Sequence, residues 1–368
     1  MKSRLLSRFD ADIRAAESSR QADCLRCERA AYLARLGEGE SAARELAEVQ
    51  GRNAARPDPW ISAWWHFAEA LVVHFGELSS KAHDRMKRAH ALAGAAGHRP
   101  LQALTAAWLA QFEYHAMRPE PMATYAASAL SLAEPDHHAA RARACLVVAE
   151  AYHDGGDFER ARPWYEEAHR HATVEGDDTM LSAIMSTMTS LRIAALQYSQ
   201  ASGVPLGGDG ERAAASAESV ARFDAAFGVA GLAELAPILR AQVLTLNGRT
   251  EEALVLYEAH LEPAIARGYG MVEGGLLADR AWCRWRAGQP AAARDDADAA
   301  DRCLERPGSP SDVGAARDRL REVFSALGDA SRARRQDVLA RQAWEEYRTL
   351  QAALVASMSR ALDGIQRT

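Results

Sequence analysis

Glycines recur at a fixed interval in the second half of the chain. Gly248, Gly288 and Gly328 lie 40 residues apart, and each stands between alanine-rich stretches whose apolar residues follow a helical period. A glycine in this position supplies the sharp turn that joins two helices. Repetition at an interval of roughly 20–50 residues indicates an array of stacked units. This periodicity therefore predicts a helical array rather than one large globular core.

The composition agrees with closely packed helices. Of the 368 residues, 79 are alanine and only 7% are aromatic. Alanine is the strongest helix former, and its small side chain lets helices approach closely. β-branched residues are sparse, which disfavours sandwiches, barrels and parallel sheets. The formal net charge of −6 disfavours a nucleic-acid or anionic-membrane partner.

The clearest unit covers residues 142–175 and reads ARACLVVAEAYHDGGDFERARPWYEEAHRHATVE. Ala149 and Ala161 are placed where the two helices of a hairpin touch, and Gly156 is placed at the turn. Tyr152, Phe158 and Tyr165 are placed to fill the space beside the alanines. Weaker copies surround Gly37, Gly248, Gly288 and Gly328. The unit resembles the tetratricopeptide repeat, a helix–turn–helix motif of about 34 residues.

This resemblance implies an all-α, right-handed solenoid of about eight helical hairpins, of the kind found in bacterial helical-repeat proteins. We expect residues 1–331 to form the solenoid, with a flexible insertion at 202–210. Residues 332–368 contain no proline and no glycine before Gly364, and Leu339, Ala343, Tyr347, Leu350 and Leu354 recur at helical spacing. They predict a long C-terminal helix that caps the last hairpin or pairs with a second copy of the chain.

The termini, the apolar runs and the cysteines predict a cytoplasmic protein. The first ten residues are charged and lack the apolar segment of a signal peptide. No run of about 18 uncharged apolar residues is present, so we expect no contact with a membrane. Five cysteines in a chain of this length fit a reducing compartment better than a disulfide framework.

No set of residues in the sequence predicts catalysis, a metal ion or a cofactor. Cys24 and Cys27 form a C-x-x-C pair, but no second pair completes a zinc site and no strand precedes it, so we interpret them as two small residues on one helix face. Asp295, Asp296, Asp298 and Asp301 lie in an alanine-rich stretch, and we expect them to form a solvated helix face. We therefore expect no enzymatic activity.

In tetratricopeptide solenoids the first helices of the hairpins line the concave surface. The repeat register places ten residues there: Trp64, Phe67, His74, Trp108, Phe112, His115, Glu150, His153, Arg192 and Trp282. Aromatic residues on such a surface suit the anchoring of a peptide or helix. The alternative is that the tryptophans fill gaps left by the many alanines. His74, His115 and His153 would form a ladder that contacts an acidic peptide or titrates near neutrality; the alternative is three partly exposed histidines at helix ends.

Two functions fit these expectations. The first is a non-enzymatic scaffold or regulatory adaptor that binds a peptide or helix of another protein in its concave groove. The second is a sensor that binds a signal peptide or small ligand and transmits the change through its C-terminal helix. A sealed pocket would favour the sensor, and an open groove would favour the adaptor.

Overall fold

The computed structural model describes residues 3–77, 81–203, 208–231, 233–267 and 269–366. Within these ranges the chain forms seventeen α-helices and one short 3-10 turn, Tyr269–Met271. The helices are α1 Arg4–Ala15, α2 Ser19–Leu36, α3 Gly39–Ala54, α4 Pro59–Glu77, α5 Lys81–Ala95, α6 Arg99–His115, α7 Pro119–Leu132, α8 His138–Asp154, α9 Phe158–Glu175, α10 Asp178–Ala201, α11 Asp209–Phe227, α12 Leu235–Leu246, α13 Thr250–Ala266, α14 Glu273–Arg286, α15 Pro290–Cys303, α16 Pro310–Ala326 and α17 Ala330–Gln366.

The helices after α1 follow one another as eight consecutive pairs, which confirms the predicted all-α solenoid of helical hairpins. Packing within pairs is extensive for α2 and α3, α4 and α5, α6 and α7, and α8 and α9. First helices also pack on one another, as α2 does on α4 and α6 does on α8. The helix α1 precedes the pairs and packs on α2.

The hairpin α8–α9 shows why the sequence repeat produces this packing. Ala149 and Ala161 are completely buried, and Tyr152 and Tyr165 are 4% and 5% exposed beside them. Gly156 has a φ of 82°, a left-handed conformation that glycine adopts without steric cost. Small residues at the contact and a glycine at the turn therefore close the hairpin. The prediction for Phe158 is wrong, because this first residue of α9 is 41% exposed.

The chain divides into two compact units. Unit 1 comprises residues 1–184, 223–233 and 352–368, and unit 2 comprises residues 185–222 and 234–351. The predicted boundary between residues 331 and 332 is a different kind of division and stays a prediction. The helix α17 begins two residues before that boundary, and its residues Ala343, Tyr347 and Leu354 are buried within the chain.

The predicted insertion at 202–210 is shorter than expected in the described residues. The helix α10 ends at Ala201 and α11 begins at Asp209, so the last two residues of the predicted insertion are helical. Residues 204–207 lie outside the described ranges.

By length and composition the helix α10 could also cross a membrane. Of the apolar 18-residue stretch of α10, 44% is buried inside the structure.

Arginine–aspartate pairs cross the interior of unit 2. Arg280 donates two hydrogen bonds to Asp296, at 2.9 and 2.8 Å, and both side chains are buried. Arg317 donates to Asp301 at 2.5 Å. The expected solvated face of aspartates is therefore wrong for Asp296 and Asp301, because arginines on neighbouring helices pair with them inside the unit. Asp295 is exposed, as expected.

Candidate functional site

Unit 1 contains a narrow cavity of about 40 Å³. This space holds a few water molecules or one small group of a ligand, and it is well below the range of about 300–1,000 Å³ for pockets that enclose a whole ligand. Its walls come from seven helices and from the connection before α10. The lining residues are Leu5 and Phe9 of α1, Glu28, Ala31, Tyr32 and Arg35 of α2, Phe67 and Leu71 of α4, Leu104 and Trp108 of α6, Ala139 and Arg143 of α8, Glu175 of α9, Asp177, and Met180 of α10.

Four first helices each present one face to this cavity. Each contributes a pair of residues spaced by four, namely Ala31 with Arg35, Phe67 with Leu71, Leu104 with Trp108, and Ala139 with Arg143. Residues spaced by four lie one turn apart on the same side of a helix. Alanines at two of these positions leave space between the larger side chains. The repeat thus builds a lined cavity from equivalent helix faces.

Arg35 is held in place by a carboxylate at the wall of the cavity. Its guanidinium pairs with Asp177 at 2.8 and 3.0 Å. Asp177 also accepts hydrogen bonds from the Thr179 hydroxyl at 2.7 Å and from the Met180 backbone N–H at 2.9 Å, next to the first turn of α10. The charge of Arg35 is therefore neutralised by Asp177.

Arg143 is buried without such a partner. Arg143 is 6% exposed, and its Cζ lies 4.0 Å from the ring centroid of Trp108. One Nη donates a long hydrogen bond of 3.4 Å to the side chain of Gln111, and Nε has no hydrogen-bond partner. Within the described ranges, no carboxylate lies at ion-pair distance from this guanidinium.

The electrostatic setting of Arg143 is unfavourable for its charge. Burial lowers the pKa of Arg143 to about 9, and repulsion by Arg35 adds to the effect. Glu150 and Asp177 partly offset these effects through their negative charges. Arg143 remains protonated at neutral pH because this pKa still lies about two units higher.

The lining also contains acidic residues. Glu175 pairs with Arg8 of α1, which also donates to the Glu175 backbone carbonyl at 3.2 Å. Burial raises the pKa of Glu28 to about 7, and the negative charge of Glu175 raises it further while Arg8 counteracts the shift. The cavity thus holds one basic group without a carboxylate partner and one carboxyl group that titrates near neutrality.

Only two of the ten predicted groove residues line this cavity, Phe67 and Trp108. Trp64 is 7% exposed and packs edge-on against Phe67, with ring centroids 5.6 Å apart. Its Nε1 donates to His98 at 3.2 Å. Trp64 therefore fills the interior, as the alternative interpretation of the tryptophans expects. Phe112 is likewise buried, at 7% exposure.

The polar residues of the predicted groove lie in several different settings. Glu150 is buried and accepts a hydrogen bond of 2.8 Å from Gln111, whose amide nitrogen also lies 3.2 Å from Nε2 of the exposed His115. Nδ1 of His153 lies 3.0 Å from the Tyr165 hydroxyl. These residues surround Gln111 or pack within the α8–α9 hairpin. The groove as a whole stays a prediction.

Two of the ten predicted residues belong to unit 2. Arg192 donates a hydrogen bond of 3.1 Å to the Ser216 hydroxyl, and Trp282 stacks on Trp285 with ring centroids 5.0 Å apart. The other eight residues belong to unit 1.

His74 does not titrate near neutrality, contrary to the expectation for the histidine ladder. Its ring lies 5.0 Å from Phe112 and 6.4 Å from Trp108, between ring centroids. Burial lowers the pKa of His74 to about 3, and the nearby charges of His115 and Arg143 lower it further. His74 is therefore neutral at pH 7.

The two cysteines of the C-x-x-C pair behave as packed residues. Both thiols are free, Cys27 is completely buried, and burial raises the pKa of Cys24 to about 12. A thiol with a raised pKa is a poor nucleophile at neutral pH. Across the described ranges, no group of three or more His, Cys, Asp and Glu side chains is arranged to hold a metal ion.

The sequence analysis did not identify Arg143 or Arg35. In the projected register Leu146 and Glu150 represent α8, whereas the cavity receives Ala139 and Arg143 one to two turns earlier. The sequence excludes only a partner on α8 itself: Ala139, Ala140, Leu146 and Val147 occupy the positions three and four residues from Arg143. None of these residues can pair with an arginine on the same helix face.

Comparisons with known proteins agree with this architecture. No protein-family model and no curated protein matches the chain. A solved structure described as a Rap protein complexed with Competence and Sporulation Factor matches with a TM-score of 0.58 and 14% sequence identity. The match covers 94% of this chain and 98% of that chain. The fold is therefore that of a helical-repeat protein of the tetratricopeptide type.

Proposed function

We propose that this chain is a non-enzymatic regulatory protein that binds a peptide in the cavity of unit 1. The observation that carries this proposal is the cavity itself, which is lined by one face of four successive first helices. Apolar walls interrupted by charged side chains suit the capture of one small polar group of a peptide, and the rest of the peptide would lie outside the cavity. The similar solved structure, whose description names a bound factor, supports a ligand-binding role for this fold.

The covering of the cavity favours a ligand-responsive regulator over an open scaffold. Leu5 and Phe9 of α1 are buried against Tyr32 and Leu36, and both line the cavity. Arg8 ties α1 to Glu175 at the end of α9. A peptide that enters the cavity must therefore contact or displace α1. Such an event changes the surface of the protein, which is what a regulatory output requires.

The apolar face of the C-terminal helix α17 packs against its own chain. Ala340, Trp344 and Tyr347 of α17 pack together with Tyr198 inside unit 2. Because this face is covered within the chain, capping accounts for it without a second copy. We therefore propose that the partner is a peptide or another protein, and that the apolar residues of α17 serve its own chain.

A cavity-filling variant tests the proposed function. A display library of random decapeptides is selected on the wild-type protein, and dissociation constants of enriched peptides are measured by calorimetry. Ala139→Phe places a large ring in the cavity, whereas Ala43→Phe places the same ring on the exposed surface of α3. We expect affinity to fall at least about tenfold in Ala139→Phe and to be unchanged in Ala43→Phe. Enriched peptides that bind both variants equally, or no enrichment at all, would contradict the proposal.

A further inference from the structure

Arg143 bears a buried charge that the protein itself does not neutralise. Removing an arginine from water costs several kcal/mol unless a carboxylate or several hydrogen bonds compensate, so such residues are normally paired. Arg143 is 6% exposed, has an unpartnered Nε, and has one long hydrogen bond to Gln111. A stabilising role does not account for this arrangement, because burying an apolar side chain there would cost less.

The groups around Arg143 orient its guanidinium and leave its N–H groups able to bind a planar anion. The Trp108 ring lies 4.0 Å from its Cζ, so the indole supports the guanidinium. The nearest arginine on the wall, Arg35, already has Asp177 as its bidentate partner. Asp177 also accepts hydrogen bonds from Thr179 and Met180, which fix its carboxylate beside Arg35. Arg143 keeps donor N–H groups for a molecule that enters the cavity.

The charges around the cavity select among anions. Asp177 neutralises Arg35 and Arg8 pairs with Glu175, which leaves Arg143 as the available cation and Glu28 as a nearby carboxyl group. One cation facing acidic neighbours suits a singly charged carboxylate. A phosphate near neutral pH carries between one and two negative charges and would be repelled more strongly by Glu28, Glu175 and Asp177.

We propose that the cavity of unit 1 is a carboxylate-binding site in which Arg143 pairs with a carboxylate group of the ligand. The proposal rests on the proposed peptide-binding function only for the source of that group. A peptide supplies it from its C-terminus or from an aspartate or glutamate side chain. In both cases the carboxylate takes the place that a protein carboxylate takes for Arg35.

The first experiment uses sodium acetate as the probe and does not depend on any peptide. Thermal unfolding of the full chain is measured at pH 7 in 200 mM sodium acetate and in 200 mM sodium chloride. We expect acetate to raise the melting temperature of the wild type by about 2 °C and to leave Arg143→Met unchanged. Arg118→Met removes an arginine that pairs with Glu113 outside the cavity, so it should keep the acetate effect.

The second experiment identifies the source of the carboxylate. Three probes are compared by the same measurement: N-acetyl-dialanine with a free carboxylate, the same dipeptide as its amide, and N-acetyl-glutamate as its α-amide. The free dipeptide should raise the melting temperature if the chain terminus is recognised, and the glutamate amide should do so if a side chain is recognised. The dialanine amide should have no effect in either case.

Several results would overturn the assignment. An acetate shift that is equal in the wild type and Arg143→Met would place the anion elsewhere. A larger shift with phosphate than with acetate would contradict the carboxylate class. A strongly lowered melting temperature of Arg143→Met in chloride would show that Arg143 stabilises the fold. By contrast, an Arg143-dependent acetate shift without any enriched decapeptide would uphold the carboxylate site and reject the peptide function.

Discussion

Both units bury arginines, but they treat the charge differently. In unit 2, Arg280, Arg317 and Arg319 are each bonded to a buried aspartate. In unit 1, Arg143 is as deeply buried, but its guanidinium contacts the ring of Trp108 and the side-chain amide of Gln111. A paired buried arginine joins neighbouring helices, whereas an unpaired one is costly unless a ligand completes it. The contrast separates arginines that join neighbouring helices from the arginine that we propose pairs with a ligand.

The largest expected effect comes from breaking a pair in unit 2. Asp301 receives hydrogen bonds from Arg317 and from Gln336, at 2.5 and 2.9 Å. Asp301→Ala leaves Arg317 buried without its carboxylate, so we expect the free energy of unfolding to fall by about 3–5 kcal/mol. Urea unfolding followed by circular dichroism measures the loss. Asp295→Ala, on the exposed side of the same helix, should change it by less than about 0.5 kcal/mol; equal effects of the two variants would refute the distinction between them.

A smaller loss of stability is expected at Gly231, which packs closely against the backbone of Arg35 at the cavity wall. A Cβ added at Gly231 would lie 2.2 Å from the backbone oxygen of Arg35, so Gly231→Ala must push α2 away. We expect a loss of about 2 kcal/mol in urea unfolding and weaker peptide binding, since Arg35 lines the cavity. Gly39→Ala, whose added Cβ would meet nothing within 4 Å, is the control. Unchanged binding in Gly231→Ala would mean that the wall tolerates displacement.

A third effect, of similar size, concerns acid and arises in unit 1. Of the 12 histidines, only His260 belongs to unit 2. Burial holds the pKa of His74 in the folded protein at about 3, below the value of about 6.5 expected for the unfolded chain. The unfolded chain therefore takes up the proton first. Stability that His74 contributes above pH 6.5 is lost as the pH falls toward 3.

His74→Leu measures this contribution. Between pH 7 and pH 5 the wild type should lose about 2 kcal/mol through His74, and the variant should lose less by that amount. Urea unfolding at the two pH values gives the difference, and the exposed His169→Leu should retain the full loss. The same acid sensitivity in His74→Leu and wild type would show that His74 is protonated as readily in the folded protein as in the unfolded chain.

The architecture could be predicted from the sequence because each repeat unit contains the residues that form its own hairpin. The alanines and tyrosines of residues 142–175 and the turn at Gly156 depend on contacts between adjacent helices, so one unit suffices to recognise the hairpin. The long C-terminal helix was equally accessible from the absence of interrupting residues. The exact register was not, because helix lengths vary among the hairpins and a shift of one turn replaces Arg143 by Leu146 on the lining face.

The roles of the charged residues could not be predicted from the sequence. Arg280 and Arg143 both sit in first helices with no carboxylate three or four residues away on the same helix. Arg280 pairs with Asp296 of the following helix, whereas Arg143 points into a cavity. This difference depends on which side chains the neighbouring helices present. For the same reason Asp296 and Asp301 were assigned to a solvated face although both are buried.

The most direct test compares the same substitution at the two kinds of arginine. Arg143→Met and Arg317→Met are unfolded in urea, without ligand and at neutral pH, and their free energies of unfolding are compared with the wild type. Because Arg143 has no carboxylate to leave behind, Arg143→Met should be as stable as the wild type or more stable by about 1 kcal/mol, whereas Arg317→Met should lose about 3–5 kcal/mol. A loss in Arg143→Met as large as that in Arg317→Met would contradict the account, because Arg143 would then hold the fold together as the arginines of unit 2 do.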